Sequence, residues 1–321
     1  MASLLAPNST YSLILSVASI SYSSLTILAN LFLILVIILH PSLRNRRQNI
    51  FMLSLSIANL LVGFAFSLKV LEEWYNPVPE EDPKHPFLCR FIKGLIILAI
   101  SSSIYNFLAL ASDRWIMVKH PAWRKTPMPM VVLIVWVPSL LQALPLWTNF
   151  HDVNYLKEPL CSFRAMRQEW LLFSLATIFM LPTLLLLLLH CLTTGCRTSW
   201  GFCRSFYIDT ATEGNLASTY RLYSLICLIF LVCWWPVIIY VWVVDLTSSG
   251  LEDPLAVNWA KLSSLIDPLL YMWLNESVRW RVLALPGRGW AALCRVANIC
   301  SSRTDGGEGM RGFRDTIRVT S

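Results

Sequence analysis

Residues 12–39 read SLILSVASISYSSLTILANLFLILVIIL, a run with no Asp, Glu, Lys or Arg, and they end at His40-Pro41-Ser42-Leu43-Arg44-Asn45-Arg46-Arg47. A bilayer core about 30 Å thick needs about 20 mainly apolar residues in a helix. The stretch is therefore long enough to cross a membrane, and the basic cluster marks where it leaves the lipid. The same window finds six further stretches, 50–71, 89–117, 129–147, 169–192, 216–244 and 254–274, of which the fourth and seventh are interrupted by prolines and polar residues. The expected fold is all-α: a seven-transmembrane helix bundle over 12–274, an N-terminal segment 1–11, a short amphipathic eighth helix 275–293 and a tail 294–321.

Composition points the same way. The chain of 321 residues is 56% hydrophobic and 14% charged, with mean hydropathy +0.57, where a soluble domain is about 25% charged. That excludes a disordered chain, a small disulfide scaffold and a typical cytosolic enzyme. There is no phosphate-binding Gly-rich loop, no dinucleotide fingerprint and no HExxH, so no enzymatic activity is expected. No repeat or inverted repeat points to a transporter. The net charge of +7 is unevenly spread: one set of loops and the tail hold eighteen Lys/Arg against seven acids, +11, and the opposite set eight against eleven, −3, with Asp267 inside the last span. The positive-inside rule places the N-terminus outside the cell and the C-terminus in the cytoplasm, in a multi-pass protein of the plasma membrane. The inner surplus suits anionic membrane lipid, and nucleic acid drops out. The first ten residues lack the basic n-region of a cleavable signal peptide, and Asn8-Ser9-Thr10 is a glycosylation sequon that fits an outside N-terminus.

Short motifs fall on successive spans. Asn30 lies in Ala29-Asn30-Leu31, span two reads Leu55-Ser56-Ile57-Ala58-Asn59-Leu60, and span three ends Asp113-Arg114-Trp115. Trp136 marks span four and Pro182 span five; span six carries Phe230-Leu231-Val232-Cys233-Trp234-Trp235-Pro236 and span seven Asp267-Pro268-Leu269-Leu270-Tyr271. In this order the set resembles the rhodopsin-like (class A) G-protein-coupled receptors over nearly the whole chain. The resemblance implies a heterotrimeric G protein as inner partner and a small extracellular ligand. It also implies a disulfide between Cys89 and Cys161. Cys89 and Arg114 are 25 residues apart, about 37 Å along a helix, which puts them at opposite ends of span three. Cys294 and Cys300 follow the amphipathic stretch and are palmitoylation candidates.

The resemblance also assigns roles. Asp113, next in sequence, is the expected partner of Arg114, and breaking that contact frees Arg114 for the G protein. Relatives often add a span-six carboxylate, but Leu216 stands at that position, so a weak inactive-state lock and appreciable basal signalling are expected. Pro236 and Pro268 permit kinks, and Trp234 is expected to feel the ligand; with Trp115 and Tyr271 these complete the coupling set. Asn59, Ser103 and Asp267 match positions that surround a sodium ion in the family, with the usual Asp and Asn exchanged. The alternatives are sodium at a shifted position or a protonated Asp267 bonded to Asn59.

Span three locally resembles histamine and muscarinic receptors, yet the aspartate that anchors an amine, 18 residues before the motif arginine, is Ile96 here. An ammonium ion would sit unpaired in an apolar site, at a cost of several kcal/mol, so a typical biogenic amine is not expected. Lys69, Lys93 and Lys261 lie instead near the outer side, where lysine is costly and marks function unless it snorkels to the interface as a solvated charge. With Ile96, Ile97, Ile100, Trp234, Val237, Ile238 and Val257 they form the expected ligand-facing set, favouring an anionic small molecule or lipid. Lys261 also holds the position where opsins attach retinal, which leaves a retinal-binding receptor as one alternative and a transporter or channel as another.

Overall fold

The structure, a computed structural model, describes residues 10–75, 86–119, 123, 127–148, 168–194, 228–236 and 254–283. Helix α1 (Thr10–Leu39) ends at His40, whose extended backbone (φ −112°, ψ 101°) is what a residue before proline adopts, and Pro41 opens the short α2 (Pro41–Arg44). Helices α3 (Arg47–Tyr75), α4 (Pro86–Lys119) and α5 (Met128–Trp147) follow. Span five is α6 (Gln168–Leu175), a π turn (Ala176–Met180) and α7 (Leu181–Thr194). The described part of span six is the helix 228–236, here α8, and span seven is α9 (Pro254–Leu274). No strand occurs among the described residues.

Four helices are long and apolar enough to cross a membrane, at Leu13–Leu39, Arg47–Glu72, Phe87–Asp113 and Leu172–Leu189, and α5 adds a shorter apolar stretch, Val132–Trp147. Helix α9 is diluted by Asn258, Lys261 and Asp267, but its 21 residues still span about 31 Å. Polarity runs opposite to that of a soluble protein. On α1 the exposed positions include Leu25, Leu28 and Leu35, and the buried ones Ser23, Thr26 and Asn30. Polar groups inside and leucine outside is what a lipid solvent selects, because membrane helices associate through small and hydrogen-bonding residues.

Helix α4 is central, packing against α3, α5 and α7. Glycine permits two close approaches. A Cβ on Gly63 would lie 2.8 Å from Ile27 Cγ1, and one on Gly94 2.0 Å from Trp147 Nε1. The π turn precedes Pro182, which has no N–H to give the helix. The Leu181 N–H reaches back to the Ala176 carbonyl, so the Thr177 carbonyl lacks both usual donors. The Tyr105 hydroxyl of α4 fills that gap at 3.2 Å, and Gln142 of α5 donates to both Tyr105 and the Thr177 hydroxyl. Residues up to Val278 form one compact unit and Arg279–Ser321 a second. Residues 276–283 are helical, with Asn275 as cap: its side-chain oxygen accepts the Val278 N–H at 3.2 Å.

Candidate functional site

Three polar clusters lie along the bundle axis, here called inner, middle and outer in the sense expected from the loop charges. At the inner end Asp113 is 1% exposed. Arg47, the first residue of α3, brings Nη2 to 2.6 Å and Nε to 2.9 Å from Asp113 Oδ1. Trp123 donates its indole N–H to the same oxygen at 2.8 Å, and its ring lies 5.8 Å from the Arg47 guanidinium carbon. Asp113 Oδ2 accepts no hydrogen bond among the described residues. Nearby, buried Tyr271 donates its hydroxyl to Asn49, whose amide donates to the Leu43 carbonyl at 2.8 Å. Arg46 donates to the Ser277 hydroxyl at 2.9 Å. The inner ends of α2, α3 and α9 are thereby tied together.

In the middle, Asp267 is also 1% exposed. The Asn59 amide donates to Asp267 Oδ2 at 3.4 Å, and the Ser103 hydroxyl donates to Asn59 Oδ1 at 3.2 Å. Asp267 Oδ1 has no hydrogen-bond partner among the described residues. The three sodium candidates therefore meet, from α3, α4 and α9, as a hydrogen-bonded chain running from hydroxyl through amide to carboxylate. Asn30 joins α1 to α9 by donating to the Thr26 and Ser264 carbonyls at 2.8 and 2.9 Å. Above this layer Trp234 is buried, donates to the Ser263 hydroxyl at 3.0 Å, and lies 5.5 and 5.7 Å from the rings of Phe179 and Phe230. Phe230 meets Phe107 at 5.0 Å, which carries the aromatic stack from span six onto α4.

Towards the outer end Lys261 is 5% exposed, donates to the Ser19 hydroxyl at 2.6 Å and Asn258 Oδ1 at 3.0 Å, and lies 4.2 Å from the Phe66 ring centroid. Its amine is thus held among α1, α3 and α9. Lys93 is 3% exposed, Lys69 partly buried, Ile96 and Ile100 buried, and Ile97 partly buried. Cys89, at the start of α4, is in a disulfide. Hydroxyl, amide and aromatic ring thus surround this buried amine.

Comparison with known proteins fits this geometry. The family model described as "7 transmembrane receptor (rhodopsin family)" matches residues 29–271, which include Asp113, Asp267 and Lys261 of the three clusters. The chain belongs to that family. The receptor is 23% identical over 82% of its length to a protein named tachykinin-like peptides receptor 99D from Drosophila melanogaster, of which it spans 55%. It is 22% identical over 77% of its length to N-formyl peptide receptor 3 from Gorilla gorilla gorilla (75% of that protein). It is 24% identical over 79% to somatostatin receptor type 4 from Rattus norvegicus (68% of that protein). Membership makes it a multi-pass, non-enzymatic membrane receptor with a seven-helix bundle.

Several expected site residues fall outside the described part of the receptor: Asn8, Cys161, Val237, Ile238, Cys294 and Cys300, together with the side chains of Arg114 and Val257. Pro236 is the last described residue of α8, Pro268 lies inside α9, and Trp115 is partly buried. Sequence reasoning missed Arg47, counted only as a loop charge, and Trp123. The signal available for Arg47 was helical geometry: successive residues point about 100° apart, so Arg114 does not face Asp113 by default.

Proposed function

We propose that this receptor sits in the plasma membrane with its N-terminus outside, binds an extracellular peptide carrying an acidic group, and activates a heterotrimeric G protein through its inner face. The observation that carries the ligand class is that two of the relatives above are named as peptide receptors. The sign of charge is supported by two nearly buried lysines, Lys93 and Lys261, with Ile96 where an amine receptor has its aspartate. Sequence alone favoured an anionic small molecule or lipid; a peptide carboxylate presents the same charge to the same lysines.

Asp267, Ser103 and Asn59 supply oxygens that fit a sodium ion, since hard cations take carboxylate, hydroxyl and amide oxygen and Asp267 Oδ1 is otherwise unsatisfied among the described residues. A bound ion would balance the one carboxylate there. Ligand binding acts by favouring one of two packings of the bundle. Trp234 is bonded to α9 through Ser263 and stacked on Phe230 and Phe179, so it joins spans five, six and seven at the level where such a shift would be felt.

The test is peptide-dependent nucleotide exchange on purified G proteins, using peptides with free and amidated C-termini. Arg114→Ala should bring exchange to background. Lys261→Ala should raise the half-maximal concentration of the acidic peptide about tenfold, the size of one hydrogen bond to a charged group. Exchange indifferent to Arg114→Ala, or solute flux across vesicles without any G protein, would sink the reading.

A further inference from the structure

We infer that Arg47 is a positioning residue for G-protein activation: by holding Asp113 it withholds from Arg114 the carboxylate that would otherwise retain it. This rests on the receptor reading above. Asp113 has one arginine beside it in sequence and another 66 residues away in the chain, and the distant one is in place. Arg47 and the Trp123 indole put three N–H donors on a single oxygen, Oδ1, at 2.6–2.9 Å. Oδ1 has no room for a fourth strong donor, and Oδ2, which accepts no bond among the described residues, belongs to a carboxylate whose charge Arg47 already balances.

Charge gives the consequence. Asp113 and Arg47 together are neutral, so a second guanidinium meets no net attraction from the pair and is repelled by Arg47 at short range. Without Arg47 the buried carboxylate has a strong need for a cation, because an ion left alone in a membrane bundle costs several kcal/mol. Arg114, the next residue in sequence, can then supply it. Arg47 therefore shifts the two-state balance towards the form in which Arg114 can meet the G protein, and position 47 sets the basal activity. Trp123 couples the second inner loop to the same switch: its N–H shares Oδ1 and its ring lies beside the Arg47 head. Lysine at 47 could supply the charge but not the fork that places two N–H groups on one oxygen.

The experiment measures basal nucleotide exchange, without peptide, in membranes holding equal amounts of the full-length receptor and each of a panel of purified heterotrimers. Arg47→Gln should lower exchange about fivefold or more, the usual size of a coupling between sites, with Arg47→Lys in between. In an Asp113→Asn background, where there is no carboxylate to contest, Arg47→Gln should change nothing further. Basal exchange unchanged or raised in Arg47→Gln overturns the inference, and so does wild-type exchange no higher than in membranes lacking the receptor. If Arg47→Gln does not reach the membrane, Arg47→Lys decides: lowered exchange supports the inference and wild-type exchange overturns it. Arg114→Ala separates the two readings. Its loss of peptide-dependent exchange upholds the receptor reading whatever position 47 does, whereas exchange that survives it removes that reading itself.

Discussion

Asp113 and Asp267 are each 1% exposed, yet the bundle treats them in opposite ways. Asp113 has an arginine at 2.6 Å and an indole donor at 2.8 Å on the same oxygen. Each keeps one oxygen with no partner among the described residues, but on its other oxygen Asp267 has only a single amide at 3.4 Å. The first is a finished ion pair, in which both charges are provided by the chain. The second is an acid set among neutral groups, which leaves its charge to be balanced by something that comes and goes. Burial alone therefore does not distinguish a structural carboxylate from a responsive one; the identity of the neighbours does.

Three substitutions break or sharpen that contrast. The largest effect is expected from Asp113→Leu, which strands the Arg47 guanidinium at the bundle base. Losing one partner of a buried pair costs about 3 kcal/mol, so the melting temperature of the purified receptor should fall by about 6 °C or more. Trp123→Phe keeps a ring near Arg47 but removes one donor to the carboxylate, and about 1.5 kcal/mol is expected from the same melting curve. Asp267→Asn should be the mildest, within about 1 kcal/mol of wild type in choline chloride. Its mark lies elsewhere: sodium chloride should raise the melting temperature of the wild type and leave Asp267→Asn unmoved. If Asp267→Asn costs as much as Asp113→Leu, the two carboxylates are alike and the contrast fails. If the wild type shows no sodium increment, Asp267 is neutralised by a proton.

The spans were legible because length and apolarity are one-dimensional properties. The basic run 44–47 bounds span one, and α1, α3, α4, α5 and α9 begin and end within a few residues of the expected limits. Motif order located Asn59, Ser103 and Asp267, and the fold brings them together. The Arg47–Asp113 pair was not legible, because 66 residues and a tertiary packing separate its members while a more obvious arginine stands next door. Lys261 was marked by its cost in lipid, but which hydroxyl would take it depends on α1 lying against α9, and nothing local to Ser19 says so. The π turn escaped notice because Pro182 in a long apolar run signals only that a bond is missing, not how the helix absorbs the loss.

That wide turn means span five contains one residue more than a regular helix of the same height. A descendant chain lacking one residue between Gln168 and Pro182 would recover the regular winding with both halves of the span in place, because the wide turn is what absorbs the extra residue. Glu169 and Trp170 would keep their places at the ligand end, while the Tyr105 contact with the Thr177 carbonyl, which belongs to the wide turn, would be lost. A single insertion or deletion here is thus a change of length that a lineage of such receptors can absorb without turning the residues at the ligand end.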